Sequence, residues 1–290
     1  MGIPFRKLHG LGNDFVVVDG FDVPIPDALA RSARDVCDRH LGVGADGVLL
    51  VARSDKADAA MRVINADGSE PQTCGNGLRC VAKLLGDHNA ELAGREALTI
   101  ETVAGVVSCT LLYGAGGRVA RVRVDMGAAS LERASLPMRG PGRFIDDTIH
   151  VDGAEFRGTA VSMGNPHLVI FAGSEDTAPR ELAERYGPML ETHAAFPERT
   201  NVEFVHPRPD GALDLAVWER GCGLTRACGS GACATVVAAV VTERHAPDTP
   251  LEVHLPGGPL TITVSEDLGS VLMEGPACEV FSGELPADLC

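Results

Sequence analysis

The pattern of hydrophobic and polar positions runs through the same order of elements twice. Short apolar runs are typical of strands, and apolar residues at helical spacing are typical of helices. In the first half the pattern predicts strands and helices at 15–19, 27–40, 48–53, 61–65 and about 74–85, followed by β-rich segments at 98–103, 106–112 and 119–125. In the second half it predicts elements at 168–171, 180–191, 213–218 and 231 to about 243, and a last strand at 276–285. We therefore expect two domains of one fold in tandem.

A cysteine followed by a glycine-rich turn marks the start of one predicted helix in each half. The two copies are Cys74-Gly75-Asn76-Gly77 and Cys228-Gly229-Ser230-Gly231. Other pairs keep nearly the same spacing: Gly12-Asn13 with Gly164-Asn165, residues 48–51 with 202–205, and Asn65 with Glu219. If the halves face each other about a pseudo-twofold axis, the two cysteines can meet across one cleft.

The domain boundaries follow from this repeat. We expect an N-terminal α/β domain over 1–126 and a C-terminal α/β domain over 127–275, with the active site in the cleft between them. The pattern does not decide to which domain the last strand, 276–290, belongs, and we take it to complete the first. The second cysteine helix is apolar on every face, which predicts a helix enclosed by a curved sheet.

Composition and charge narrow the class of protein. The net charge of −15 disfavours nucleic acid and anionic membranes as partners, because both require a basic face. No signal peptide is evident and the longest apolar run is too short for a bilayer, so a cytoplasmic enzyme is expected. The nine cysteines include no C-x-x-C pair, which argues against a zinc site. A disulfide scaffold is unlikely in a protein this long without a secretory signal.

The cysteine turns carry the candidate chemistry. A helix N-terminus offers unpaired backbone N–H groups and a positive dipole, so a cysteine there is expected to favour its thiolate. The N–H groups of Gly75, Asn76, Gly229 and Ser230 can hold a carboxylate. Two such turns around one ligand would place a sulfur on each face of its α-carbon.

Several long motifs resemble diaminopimelate epimerases, in order and from end to end. They are residues 5–15 (FRKLHGLGNDF), 65–70 (NADGSE), the first cysteine turn, 164–167 (GNPH), 200–202 (TNV), 219–221 (ERG), 227–233 (ACGSGAC) and 274–277 (EGPA). One departure is Gly47, where some members have Gln and therefore a side-chain contact that is absent here.

The resemblance implies an α/β (α+β) fold of two pseudo-symmetric domains, each a curved, mostly antiparallel sheet or barrel around a central apolar helix. It also implies an isomerase without cofactor or metal that interconverts LL- and meso-diaminopimelate, in the synthesis of lysine and of peptidoglycan precursors. Cys74 and Cys228 map to the catalytic pair, one as thiolate and one as thiol. The substrate-binding positions map to Asn13, Asn65, Gly75, Asn76, Asn165, Asn201, Glu219, Arg220, Gly229 and Ser230. A homodimer is a candidate assembly.

Other functions remain open at this stage. A racemase of the same fold acting on proline, hydroxyproline or histidine would share both cysteines but would not need Asn65, Asn201, Glu219 and Arg220 together. A cysteine hydrolase would need a lasting Cys–His pair and no second cysteine in a matched turn. The repeated turns could also be structural echoes of the duplication with buried cysteines.

Overall fold

The computed structural model describes residues 2–21, 25–71, 74–171 and 177–286, so residues 287–290 of the predicted last strand lie outside the described part. The strands of the first half are β1 (Ile3–Gly10), β2 (Asn13–Asp19), β3 (Gly47–Ala52), β4 (Ala59–Asn65), β5 (Ala97–Thr102), β6 (Gly105–Tyr113) and β7 (Val119–Asp125). Its helices are α1 (Asp27–Arg31), α2 (Ala33–Cys37) and α3 (Gly75–His88).

The remaining strands are β8 (Asp147–Val151), β9 (Ala154–Ser162), β10 (Pro166–Phe171), β11 (Asn201–Pro207), β12 (Leu213–Glu219), β13 (Gly223–Leu224), β14 (Leu251–Leu255), β15 (Gly258–Val264), β16 (Val271–Pro276) and β17 (Cys278–Leu285). The helices of this part are α4 (Pro179–Glu191) and α5 (Gly229–Val241). Within the described ranges no helix is long and apolar enough to cross a membrane.

The chain divides into two compact units. The first consists of Met1–Val124 with Glu274–Cys290, and the second of Asp125–Met273. In the first unit β17 pairs antiparallel with β1, from Ile3 opposite Leu285 to His9 opposite Cys278. The last strand therefore belongs to the first unit.

The two units repeat one topology. In the first, β1–β2 is antiparallel, β2–β3 parallel, β3–β4 antiparallel, β4–β5 parallel and β5–β6 antiparallel. In the second, β9–β10, β10–β11, β11–β12, β12–β14 and β14–β15 alternate in the same way. Helices connect the parallel pairs, as parallel strands require. The predicted two-domain α+β fold is confirmed.

The burial of the central helices, α3 and α5, follows from their sequences. Every residue of α5 from Gly231 to Ala239 is buried, as its all-round apolar sequence predicts. In α3 the buried surface includes two charged residues, Arg79 and Lys83, which find partners inside the unit. Each unit has its own apolar core, one around Leu29, Val48 and Ile64, the other around Leu190, Val202 and Phe204.

Some predicted elements differ in detail. The predicted helix 27–40 consists of two short helices with Ser32 between them. Gly86, expected to end the first cysteine helix, lies inside α3, which continues to His88. A Cβ at Gly86 would lie 2.7 Å from Leu111 Cδ1 and 2.8 Å from Val119 Cγ2, so this glycine permits close packing of helix on sheet.

Candidate functional site

The first cysteine turn caps a buried helix. Cys74 is the N-cap residue of α3, with extended backbone (φ −142°, ψ 99°), and its Sγ accepts a hydrogen bond from the backbone N–H of Gly77 at 3.3 Å. The side chain is half-buried. The turn thus presents a sulfur at the positive end of a helix, the geometry expected from the sequence.

Polar side chains fix the backbone beside this sulfur. Asn76 Nδ2 donates to Asn13 Oδ1 at 3.0 Å, and Arg79 Nη2 donates to Asn76 Oδ1 at 2.7 Å. The Arg79 side chain is completely buried and its Nε donates to the carbonyl of Pro276 at 3.2 Å. Two of the predicted substrate-binding residues, Asn13 and Asn76, are therefore brought together with Cys74 by one network.

A cluster of ion pairs anchors Asn13 from the other side. Asn13 Nδ2 donates to Asp46 Oδ2 at 2.7 Å, while Arg39 bridges Asp46 and Asp14 at 2.8 Å each. Lys7 pairs with Asp14 at 2.7 Å. Burial would raise the pKa of Asp14, but Arg39 and Lys7 outweigh it and lower the pKa to about 2. This carboxylate remains charged at neutral pH, and through Arg39 it supports Asp46, which accepts from Asn13.

Asn65 lies at the end of β4, apart from that network. Its Nδ2 donates to Ser69 Oγ at 2.9 Å, and no described contact joins it to the Cys74 turn. Its partner across the sheet is Gly47. A Cβ at Gly47 would lie 2.8 Å from the Ile64 carbonyl oxygen, so any side chain there requires the strand pair to shift.

The second cysteine turn repeats this geometry in a more buried setting. Cys228 is the N-cap of α5 (φ −118°, ψ 105°), and its Sγ accepts from the backbone N–H of Gly231 at 3.3 Å. Only 6% of Cys228 is exposed. The Ser230 hydroxyl oxygen lies 3.6 Å from the sulfur.

The surroundings of Cys228 correct one expectation. Burial raises the pKa of this thiol well above its ordinary value, and the nearby carboxyl groups of Glu219 and Glu203 raise it further when they are charged. The hydrogen bonds from Ser230 and Gly231 act in the opposite direction but do not prevail. The helix N-terminus alone therefore does not favour a thiolate at Cys228, because burial outweighs it.

The predicted charged pair follows β12. Burial raises the pKa of Glu219, whose Oε1 accepts a short hydrogen bond from Thr225 Oγ1. Arg220 donates its backbone N–H to Asn201 Oδ1 at 2.9 Å, and its guanidinium is exposed. Asn201 in turn donates to the Pro166 carbonyl at 2.8 Å. The ends of β10, β11 and β12 thus bring Asn201, Glu219 and Arg220 together.

A buried polar chain lies behind Cys228, and its member Glu203 was not predicted from the sequence. His167 Nδ1 lies 2.7 Å from Glu203 Oε1, and His167 Nε2 lies 3.0 Å from Asn165 Oδ1. Asn165 Nδ2 donates to Ser230 Oγ at 3.4 Å. The signal in the sequence was a glutamate inside the otherwise apolar run of β11, a residue type that is almost never buried unless it is paired.

Glu191, at the end of α4, is a second residue that the sequence did not reveal. Its carboxylate accepts from Trp218 Nε1 and from the backbone N–H of Gly221, both at 2.8 Å. These bonds fix both sides of the Glu219-Arg220 pair. Glu191 is therefore a support for that pair.

Ligand sets for a metal ion do not occur among the residues that the structure describes. Both cysteine turns instead offer backbone N–H groups at a helix start, which suit an anionic ligand group. Each turn combines a proton-carrying sulfur with such N–H groups. The arrangement can hold a carboxylate and exchange a proton at the neighbouring carbon.

Comparison of sequences identifies the relatives of this chain. The family described as diaminopimelate epimerase matches residues 5–132 and 159–280. Diaminopimelate epimerase from Desulforudis audaxviator is 50% identical over 281 residues, covering 97% of this chain and 98% of the relative. The enzyme of the same name from Moorella thermoacetica is 48% identical over 285 residues, covering 98% and 99%.

Solved structures share the fold at low identity. A hydroxyproline epimerase from Agrobacterium vitis, with bound trans-4-hydroxy-L-proline, superposes with a TM-score of 0.70 at 19% identity, covering 99% of this chain and 93% of that one. A phenazine biosynthesis protein of the PhzF family from Bacillus anthracis gives 0.69 at 17% identity, covering 99% of both chains. At these identities the likeness is evidence of the fold.

Proposed function

Because the chain belongs to the diaminopimelate epimerase family, we propose that it interconverts LL- and meso-diaminopimelate with Cys74 and Cys228 as its two acid–base groups. It is an isomerase. The observation that carries the cysteine assignment is the repeated cap geometry: each Sγ accepts the backbone N–H of the glycine three residues later, at 3.3 Å in both units.

The reaction removes the α-proton on one face and returns a proton on the other. One sulfur acts as thiolate and takes the proton, and the other acts as thiol and delivers one. The carbanion formed between these steps requires stabilisation through the substrate carboxylate. Backbone N–H groups of Gly75, Asn76, Gly229 and Ser230 are the proposed donors, since preorganised donors aimed at developing charge give the largest effect in such reactions.

The burial of Cys228 favours one order of steps in this proposal. Because burial raises the pKa of its thiol, Cys228 is the proposed first proton donor, which leaves Cys74 as the proposed first base. Reversal of the reaction exchanges the roles. Before and after each turnover, one of the two sulfurs therefore carries a proton and the other does not.

Recognition of the remote end of the substrate is the proposed role of the polar groups at the strand ends. That end carries a carboxylate and an ammonium. We assign the carboxylate to Arg220 with Asn65 and Asn201, and the ammonium to Glu219, because a guanidinium binds a carboxylate in a fork. Asn13 and Asn165 are the proposed contacts nearer the reacting carbon.

The mechanism uses no cofactor. The chain has three lysines, Lys7, Lys56 and Lys83. Each ammonium forms an ion pair, with Asp14 at 2.7 Å, Glu101 at 2.8 Å and Asp87 at 2.7 Å respectively. These pairs favour charged lysines that are poorly suited to forming an imine with a substrate or cofactor.

The biological setting follows from the substrate. We place the enzyme in the synthesis of lysine and peptidoglycan precursors, in the cytoplasm. A homodimer is also proposed, supported by two exposed apolar side chains on β17, Val280 (58% exposed) and Phe281 (46% exposed). Sedimentation of the purified chain measures that state directly.

The proposal is tested with the purified chain in heavy water. LL-diaminopimelate is incubated with the enzyme, and chiral chromatography with mass spectrometry follows both isomers. The expected product carries one solvent deuterium at the inverted carbon, while the remaining substrate is initially unlabelled. L-proline, trans-4-hydroxy-L-proline, L-histidine and L-lysine are run in parallel, and turnover of any of them at the diaminopimelate rate would contradict the substrate assignment.

A further inference from the structure

The carboxyl group of Glu203 is the most unusual buried group of the second unit. Glu203 and His167 are both completely buried, and their Oε1 and Nδ1 atoms lie 2.7 Å apart. The second oxygen, Oε2, has no hydrogen-bond partner among the described residues. A buried polar atom without a partner is rare in native proteins and calls for an explanation.

From this pair, hydrogen bonds lead step by step to the sulfur of Cys228. His167 Nε2 contacts Asn165 Oδ1 at 3.0 Å, and Asn165 Nδ2 donates to Ser230 Oγ at 3.4 Å. Ser230 Oγ contacts Cys228 Sγ at 3.6 Å. Since Asn165 presents its oxygen to His167, Nε2 must carry a proton. A hydrogen bond between His167 Nδ1 and Glu203 Oε1 requires one further proton, on either the nitrogen or the oxygen.

We propose that Glu203 is a positioning residue that carries this proton and donates it to His167 Nδ1, so that four successive hydrogen bonds all point towards Cys228 Sγ. In this arrangement Glu203 donates to His167, His167 to Asn165, Asn165 to Ser230, and Ser230 to the sulfur. The chain stabilises negative charge on the sulfur at the moment Cys228 gives up its proton. This proposal rests on the proposed role of Cys228 as an acid–base group.

The groups around Glu203 favour the neutral acid. A charged Glu219 on β12 would repel a carboxylate at Glu203, and so would a thiolate at Cys228, whereas among the described groups His167 on β10 would attract one. Burial raises the pKa of Glu203 and is the largest influence on it. Leaving Oε2 unpaired also costs less for a neutral carbonyl oxygen than for a charged one.

The first unit shows that packing does not require these side chains. The residues matched to His167 and Glu203 by the repeat are Phe15 and Leu49, which are 2% and 0% exposed. An apolar pair fills the same place there. The polar pair of the second unit is therefore retained for a purpose other than filling the core.

The test compares Glu203→Gln with Glu203→Met. The glutamine amide can still donate to Nδ1, while methionine has a similar length and no donor. In the parent at neutral pH, nitrogen-15 NMR of labelled histidine should show His167 protonated at Nε2 and not at Nδ1, with its signals assigned by their loss in His167→Gln. A neutral Nδ1–H tautomer or an imidazolium in the parent would overturn the proposal.

Alkylation of Cys228 by iodoacetamide, followed as a function of pH by mass spectrometry of its peptide, gives the second readout. Glu203→Met should raise the midpoint by about one pH unit or more, and Glu203→Gln should restore most of the difference. For diaminopimelate, kcat should fall about 10- to 100-fold in Glu203→Met, the loss typical of a hydrogen bond to a charged group, and fall far less in Glu203→Gln. An unchanged midpoint in a Glu203→Met protein that melts within a few degrees of the parent would contradict the chain.

Both spectroscopic and alkylation readouts are obtained without substrate. If the parent fails to epimerise diaminopimelate while His167 shows the expected tautomer, the proposed function is wrong and the hydrogen-bond chain stands. If the parent is active and the tautomer is reversed, the chain alone is wrong.

Discussion

The two cysteine turns share a backbone and differ in what surrounds them. Cys74 is half-buried, and the neighbouring Asn76 is held by a fully buried guanidinium, that of Arg79. Cys228 is buried, and burial raises the pKa of its thiol, as do the carboxyl groups of Glu219 and Glu203 when they are charged. Duplication has thus preserved the geometry of the turn while its electrostatics diverged. In the proposed two-base reaction one sulfur holds a proton at the start of each turnover and the other does not, and the burial of Cys228 favours the proton there.

The divergence is clearest directly beneath each turn. A Cβ at Gly77 would lie 3.1 Å from Leu49 Cδ2, and a Cβ at Gly231 would lie 2.9 Å from Glu203 Oε1. Both glycines accept a close neighbour at the same place, but the neighbour is apolar in one unit and acidic in the other. The fold therefore needs a close neighbour under each glycine, while the proposed chemistry needs an acidic one only in the second unit. Substitutions in either unit can test this difference.

The largest expected effect comes from removing either sulfur. Cys74→Ala and Cys228→Ala should each reduce epimerisation of diaminopimelate by at least about 10³-fold, because one face of the α-carbon loses its proton carrier. Chiral chromatography measures the rate. Cys222→Ala, at an exposed cysteine outside both turns, is the matched control. Full activity in either of the first two variants would show that the turns are a structural echo of the duplication.

The next effect concerns a charge that only the second unit carries. By the repeat, Glu219-Arg220 corresponds to Asn65-Ala66. Arg220→Ala installs the residue of the first unit and should lower kcat/KM for diaminopimelate about 10²- to 10³-fold, since the proposed fork to the remote carboxylate is lost. Arg220→Lys should recover part of this loss, because lysine keeps the charge but not the fork.

The Arg220 variants need a control for the cysteines. Alkylation of Cys74 and Cys228 should proceed in Arg220→Ala as in the parent, because the guanidinium is exposed and, among the described residues, hydrogen-bonds to the Glu198 carbonyl at 3.3 Å and not to the sulfurs. If Arg220→Ala retained nearly full activity on diaminopimelate, the assignment of the remote carboxylate would be wrong. Another racemase activity of the same fold would then have to be sought.

The sequence was sufficient for the features that depend on local pattern. The cysteine turns, the two-unit repeat and the enclosed helix α5 follow from glycine positions and apolar periodicity, and the structure confirms them. The break at Ser32 and the continuation of α3 through Gly86 do not. At Gly86, close packing against Leu111 and Val119 overrides the local tendency of glycine to end a helix.

The electrostatics of the site could not be predicted in the same way. The helix dipole at Cys228 is a local property, but its burial and the nearness of Glu203 and Glu219 depend on which strands lie beside α5. Glu203 is remote in sequence from the cysteine and was matched only as a position in the repeat. A charged residue in an apolar strand signals a buried partner, yet it does not say which residue that partner is.

Replacing the polar pair of the second unit with the apolar pair of the first should change the free energy of unfolding. The double variant His167→Phe with Glu203→Leu should be as stable as the parent or more stable, by up to about 4 kcal/mol, since apolar replacement of a buried polar pair is often stabilising. Thermal denaturation measures the difference. The reciprocal change, Leu49→Glu, should lower stability by several kcal/mol, because Phe15 offers no partner to a buried carboxyl group.

The same double variant should lose a pH dependence. The folded chain raises the pKa of Glu203 above its ordinary value of 4.5, so it binds that proton more tightly than the unfolded chain does. The resulting stability is complete below the ordinary pKa and is lost as the pH rises through the raised one. The parent should therefore lose more melting temperature than the double variant over that interval, and parallel curves for the two proteins would contradict the raised pKa.

The smallest effect distinguishes the two central helices. Gly86 in α3 and Val240 in α5 occupy the same position after their cysteines, and Val240 is half-buried. Gly86→Ala gains about 1 kcal/mol of helix propensity but crowds Leu111 and Val119, a change that typically costs about 1–3 kcal/mol. We expect a net loss of about 1 kcal/mol and a fall in melting temperature of about 2–4 °C, measured by calorimetry. Val240→Ala removes a partly exposed side chain, and its change in melting temperature should not exceed the fall expected for Gly86→Ala. A higher melting temperature for Gly86→Ala would show that helix α3 does not need its close approach to the sheet.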